Sequence, residues 1–96
     1  MRIATWNINS IRLRIQLVLD FLQKENIDVL CLQETKTEDK FFPTLELAEA
    51  GWCHHAFRGE KSYNGVAIIS RLPLGQNNYR HWAEKSDCRH IFAQIK

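Results

Sequence analysis

Glu34 lies near the end of a stretch, Asn26–Lys36, whose apolar Ile27, Val29, Leu30, Cys31 and Leu32 give way abruptly to Gln33, Glu34, Thr35 and Lys36. A short apolar run rich in branched residues reads as a strand buried on both faces. Such strands carry ligand chemistry just beyond their C-terminal ends, where the backbone leaves the sheet. A carboxylate there is a candidate ligand for a hard cation, because Mg2+ takes oxygen donors and often only one or two carboxylates. Asn7 and Asn9 close an earlier strand pattern, two residues apart, so they point the same way while the chain stays extended. An amide oxygen from Asn7 beside the Glu34 carboxylate would suit a mostly hydrated Mg2+. The plainer alternatives stay open: a solvated turn glutamate, and asparagines that satisfy backbone groups in a turn.

Bringing Asn7 to Glu34 requires a particular arrangement of elements. Met1–Ile8 alternates and is rich in strand formers. Ile11, Ile15, Val18, Leu19 and Leu22 then recur at helical spacing, predicting an amphipathic helix from about Ile11 to Lys24. Ser10 is a candidate cap and Asn26 a helix stop. A strand–helix–strand unit crosses over right-handed and leaves its strands parallel, so strands 1–8 and 27–33 would end at one sheet edge.

Beyond Thr37–Lys40, a polar loop, Phe41–Ala50 reads as a short helix with Pro43 in its first turn and Gly51 after its end. Trp52–Arg58 reads as a strand, Gly59–Asn64 as a polar turn and Gly65–Ser70 as a buried strand. Residues 71–75 break it, residues 76–87 are polar and weakly patterned, and Arg89–Lys96 alternates again. The order predicts an α/β fold with a mixed β-sheet and helices on one face. Two helices cover one face well, so the other should expose apolar side chains unless something else covers it.

At 96 residues the chain holds at most one small domain. A net charge of +2 means that no nucleic-acid reading can rest on bulk charge. No apolar run approaches a membrane span, and no secretory leader pattern opens the chain. Three cysteines with no CxxC pair fit a reducing, cytoplasmic setting. Cys53-His54-His55 and Cys88-Arg89-His90 match no structural zinc spacing, and packed strand residues explain them better. Trp6, Trp52 and Trp82 read as packing residues, and Arg14 and Lys24 as a solvated helix face.

Residues 5–12 (Thr-Trp-Asn-Ile-Asn-Ser-Ile-Arg) and 28–36 (Asp-Val-Leu-Cys-Leu-Gln-Glu-Thr-Lys) closely resemble the two N-terminal motifs of the exonuclease III family, within the endonuclease/exonuclease/phosphatase superfamily. Residues 62–70 (Ser-Tyr-Asn-Gly-Val-Ala-Ile-Ile-Ser) resemble its third motif, and Arg89-His90-Ile91 the strand that follows. The resemblance runs through the whole chain in order. Ser10 and Ser62 depart from it, standing where the family usually has glycine.

The resemblance implies a Mg2+-dependent DNA phosphodiesterase, with Mn2+ as an alternative ion. Such an enzyme cuts double-stranded DNA at abasic sites and removes nucleotides from 3′ ends in base excision repair. It implies Glu34 as catalytic metal ligand, Asn7 as its partner in the metal site, Asn9 as support, and Arg12, Lys36 and Tyr63 near the DNA backbone. The metal would bind a phosphate oxygen and stabilise charge as the 3′-oxygen leaves. It further implies a four-layer α/β sandwich of which residues 1–96 are the N-terminal part. The family's Asp-His pair, Asp-x-Asn and active-site Tyr fall in the missing C-terminal portion, so the chain alone is expected to be inactive. Competing readings are a phosphatase acting on phosphoinositides or other small molecules, and a non-catalytic interaction fragment.

Overall fold

Ile3–Asn7 (β1) alternates as its sequence does: Ala4 and Trp6 turn inward, while Ile3, Thr5 and Asn7 face out. Period-two alternation of this kind marks a strand with one covered face. The computed structural model describes residues 1–61, 63–78 and 92–95. Helix α1 spans Ile15–Lys24 and buries Val18 and Leu22. It starts four residues later than the apolar spacing predicts, because residues 11–14 form a separate turn. That turn is closed by Arg14 N–H to the Ile11 carbonyl, and Ser10 Oγ accepts from Leu13 N–H at 3.4 Å. Ser10 thus caps this turn rather than α1. The chain leaves the helix through Asn26 at φ +53°, the left-handed stop its residue type predicts.

Strand β2, Val29–Gln33, runs parallel to β1, with Ile3 opposite Val29 and Asn7 opposite Gln33. A 3₁₀ turn at Asp39–Phe41 precedes helix α2, Thr44–Glu49. One continuous helix from Phe41 does not form, because Phe42 precedes a proline and stays extended at ψ 134°. Pro43 caps α2, and Gly51 at φ +111° ends it. Strands β3 (His54–Glu60) and β4 (Tyr63–Ser70) form an antiparallel hairpin that takes in most of the expected polar turn. Strand β4 then pairs antiparallel with β2, giving a mixed sheet ordered β1-β2-β4-β3.

Strands β5 (Leu74–Asn78) and β6 (Phe92–Ile95) form a separate two-stranded antiparallel sheet. The polar composition of residues 76–78 hid β5. Only residues 92–95 of the expected strand 89–96 lie within the described residues, and Ser62, Trp82 and Cys88 lie outside them.

Both helices lie on one face of the four-stranded sheet. There Val18 and Leu22 of α1 and Leu47 of α2 join Leu30, Leu32, Ala67 and Ile69 in a single core. Trp6 packs edge-on against Phe21, and Trp52 is buried with its indole N–H on the Ile27 carbonyl at 2.9 Å. The opposite face is mixed rather than apolar. Ile3 is 63% exposed beside Thr5 and Asn7, and Cys31 and Ile68 are half-buried. Among the described residues no helix is long and apolar enough to cross a membrane.

Candidate active site

The parallel pairing of β1 and β2 sets Asn7 and Gln33 side by side at one edge. Beyond that edge the two chains stay zipped. Ser10 N–H donates to the Glu34 carbonyl at 2.9 Å and Ile11 N–H to the Thr35 carbonyl at 3.1 Å. The start of β4 zips on from the other side, through Thr35 N–H to Gly65 O and Lys36 N–H to Asn64 O. Three segments distant in sequence thus meet as one backbone platform.

The platform is strained. Asn9, Ser10, Glu34, Lys36 and Asn64 all sit at φ between +47° and +84°, and Gly65 at +95°. Residues other than glycine seldom adopt this region, and such outliers gather at functional sites. Ser10, at φ +84°, occupies the place where the related motif usually carries glycine, so the turn keeps a glycine-like conformation without one. Gly65 itself is required twice over, because a Cβ there would lie 2.1 Å from Thr35 Oγ1.

On this platform the Asn7 amide donates to Glu34 Oε2 at 2.5 Å. That bond is the main reason the Glu34 carboxyl is held below its ordinary value, with the nearby Lys36 charge acting in the same direction. Glu34 Oε1 has only the Lys36 ammonium, at 3.5 Å, and the Asn7 amide oxygen accepts no hydrogen bond among the described residues. Lys36 is held in turn by Asn9 Oδ1 at 2.6 Å. An anionic oxygen and an amide oxygen, both incompletely satisfied and exposed, fit a hard, mostly hydrated cation and suit neither zinc nor copper. A cleft of about 300 Å³ opens beside them, lined by Gln33, Glu34, Asn64, Gly65 and Val66. The described residues hold no group of three or more His, Cys, Asp or Glu side chains placed to bind one metal ion.

The sequence profile of the Endonuclease/Exonuclease/phosphatase family matches residues 4–95. The chain belongs to this family. An exodeoxyribonuclease of Bacillus subtilis is 31% identical over 90 residues, covering 91% of this chain and 34% of its own length. An AP endonuclease from Archaeoglobus fulgidus superposes with a TM-score of 0.90 at 39% identity, over 99% of this chain and 37% of its own. A 3′ phosphatase from Neisseria, solved with a product DNA hairpin, superposes at 0.88 and 37% identity, again over 99% and 37%. The chain therefore spans about a third of the length of these relatives and carries the N-terminal region of the exonuclease III group.

Within this family member the expected residues divide into two groups. Asn7, Asn9, Glu34 and Lys36 come together, linked by hydrogen bonds and one ion pair. Arg12 does not join them; its guanidinium lies over the Phe41 ring, 5.2 Å from the centroid. Tyr63 stands at the start of β4, at the same edge of the sheet and 70% exposed.

Arg14 differs from the solvated helix residue its spacing suggests. It is half-buried and donates to the Asn9 carbonyl at 2.5 Å, bracing the turn after β1. Thr35, fully buried, and Gly65 carry the platform without any chemistry of their own. Backbone conformation marks Gly65 and burial marks Thr35, and composition encodes neither.

Proposed function

We propose that this chain is the metal-bearing N-terminal part of a Mg2+-dependent DNA phosphodiesterase that acts at abasic sites and 3′ ends. One observation carries the reading. The Glu34 carboxylate is oriented by Asn7 on one oxygen and held on the other only by the long Lys36 contact at 3.5 Å, on a backbone strained into place. A group that cost this much local strain and served only packing would have both oxygens satisfied.

In this reading Glu34 and Asn7 hold the cation. When bound, it supplies a Lewis acid for a phosphoryl oxygen. Asn7 fixes the carboxylate rotamer and keeps the group ionised. Asn9 parks the Lys36 ammonium, which is placed to meet a phosphate. Arg12 and Tyr63 lie at the same edge, where a DNA strand would pass. No general base for the attacking water appears at Glu34 among the described residues, which supports the view that residues 1–96 complete their chemistry only with further chain.

The test is single-turnover cleavage of an abasic duplex over a Mg2+ titration, with this chain alone and with a complementing C-terminal fragment of a family member. The chain alone should not cleave, and the complemented form should. Glu34→Gln keeps size and removes charge, so it should slow the complemented reaction by about 10²–10³-fold. Parental rate and parental Mg2+ dependence in Glu34→Gln would show that Glu34 is not the ligand.

A further inference from the structure

Two side-chain amides stand in register at the edge that carries Glu34, and they are turned opposite ways. Asn7 of β1 lies opposite Gln33 of β2, so both side chains share the sheet face turned away from the helices. Asn7 reaches forward and donates to Glu34. Gln33 reaches back. Its Nε2 donates to Thr5 Oγ1 at 2.8 Å and, more weakly, to the Cys31 carbonyl at 3.4 Å. A carbonyl can only accept, so this contact assigns the nitrogen and the oxygen of the Gln33 amide.

The Gln33 oxygen is left over. It diverges from the nitrogen at the planar amide carbon and accepts no hydrogen bond among the described residues. Gln33 is half-buried and lines the cleft of about 300 Å³ together with Glu34, Asn64, Gly65 and Val66. An amide oxygen so placed calls for a donor from outside the chain. The polar side chains around it supply none: Asn7 donates to Glu34, Lys36 is held by Asn9, and Asn64 Nδ2 donates to Glu60 at 3.3 Å. Glu34 Oε1, the Asn7 oxygen and the Gln33 oxygen therefore gather as acceptors at one edge. Such a set suits a ligand rich in donors. A hydrated Mg2+ is one, because it keeps several waters and polarises each of them.

We propose that Gln33 is a positioning residue of the cation site, its amide oxygen accepting a hydrogen bond from a water on the ion that Glu34 and Asn7 hold. This rests on the reading of Glu34 as metal ligand and adds an outer layer to it. Gln33 does not touch the ion. Thr5 and the Cys31 carbonyl fix its amide in advance, so little side-chain freedom is lost when the ion arrives.

The experiment titrates this chain with MgCl2 and, separately, with hexamminecobalt(III), followed by NMR of backbone and side-chain amides. Hexamminecobalt(III) carries fixed N–H donors where Mg2+ carries waters, and it does not exchange them for a protein oxygen. Gln33→Met keeps the length and removes the amide. It should weaken both ions about fivefold, the loss of one hydrogen bond. Gln33→Glu restores an acceptor and adds charge, so it should bind Mg2+ at least as tightly as the parent does. Thr5→Val removes the anchor but leaves the oxygen, and should cost less than about twofold. Parental affinity in Gln33→Met, equal losses in Gln33→Met and Thr5→Val, or weaker binding by Gln33→Glu would each overturn the proposal. A loss for Mg2+ with none for hexamminecobalt(III) would also overturn it, by making Gln33 a direct ligand. Glu34→Gln separates this proposal from the reading beneath it. If Glu34→Gln abolishes the Mg2+ shifts and Gln33→Met leaves them unchanged, Glu34 stands and the role of Gln33 falls. If the shifts survive Glu34→Gln, or no saturable shift appears in the parent, both fall.

Discussion

At one end of β2, Asp28 accepts from Arg71 Nε at 2.8 Å on one oxygen and from Arg2 N–H at 2.7 Å on the other. Arg71 also donates to the side chain and carbonyl of Asn26 and lies over the Trp52 ring. At the other end of the same strand, Glu34 takes one bond from Asn7 and has a lysine at 3.5 Å. Each end combines a carboxylate, an asparagine and a cation, and each carboxyl is held below its ordinary value. A depressed carboxyl therefore does not separate the clamp from the site. What separates them is saturation and strain. Asp28 has both oxygens engaged, and its cation is an arginine whose planar fork locks the pair. Glu34 has one oxygen met only by a lysine on a flexible stem, at 3.5 Å, and left-handed residues surround it.

The largest break in this comparison should come from Gly65→Ala. The added methyl meets Thr35 Oγ1 at 2.1 Å in a backbone conformation that suits glycine. We expect a loss of about 2–4 kcal/mol in unfolding free energy, read by urea titration. Unchanged stability would mean that the platform relaxes freely and is not held under strain.

Arg71→Ala attacks the other end. It removes three side-chain hydrogen bonds and the contact over Trp52, and should cost about 2 kcal/mol. The Mg2+ binding proposed at Glu34, followed by NMR shifts, should be unaffected. A parallel loss of both would tie the two ends together.

Lys36→Arg turns the site toward the clamp. A guanidinium can engage both the open Glu34 oxygen and Asn9, so it should compete with the cation and weaken Mg2+ binding about tenfold. Unchanged affinity would show that the lysine is not the competing charge.

The sequence reading reached different depths at the two ends. Asn7, Glu34 and their shared edge were legible because a parallel crossover follows from the strand–helix–strand order. The left-handed stops at Asn26 and Gly51 were legible from residue type. The clamp was not, because Arg71 and Asp28 are 43 residues apart and meet only through the β2–β4 pairing. Strand β5 was hidden by polar residues, which edge strands tolerate and burial patterns do not reveal. The split of the expected second helix was legible in principle, since Phe42 precedes a proline.

The smallest effect concerns acid, and it separates the two carboxylates by what each does for the fold. Asp28 is depressed first by the Arg2 backbone N–H and then by Arg71, Glu34 first by Asn7. A carboxyl whose folded value lies below its unfolded value adds stability above the unfolded value. That stability is lost as pH falls through the folded value. Stability should therefore be level above the ordinary values of 3.8 for Asp28 and 4.5 for Glu34, and decline below them. Asp28→Asn should flatten the decline and also lower the level region, because the amide cannot accept equally on both sides of the clamp. Glu34→Gln should flatten part of the decline and leave the level region almost where it was. Its side chain is 44% exposed, and a glutamine oxygen still accepts from Asn7. Urea midpoints from about pH 6 down to pH 2.5 measure both. If Glu34→Gln lowers the neutral plateau as far as Asp28→Asn does, then Glu34 holds the fold as the clamp does, and the open oxygen is no sign of a site.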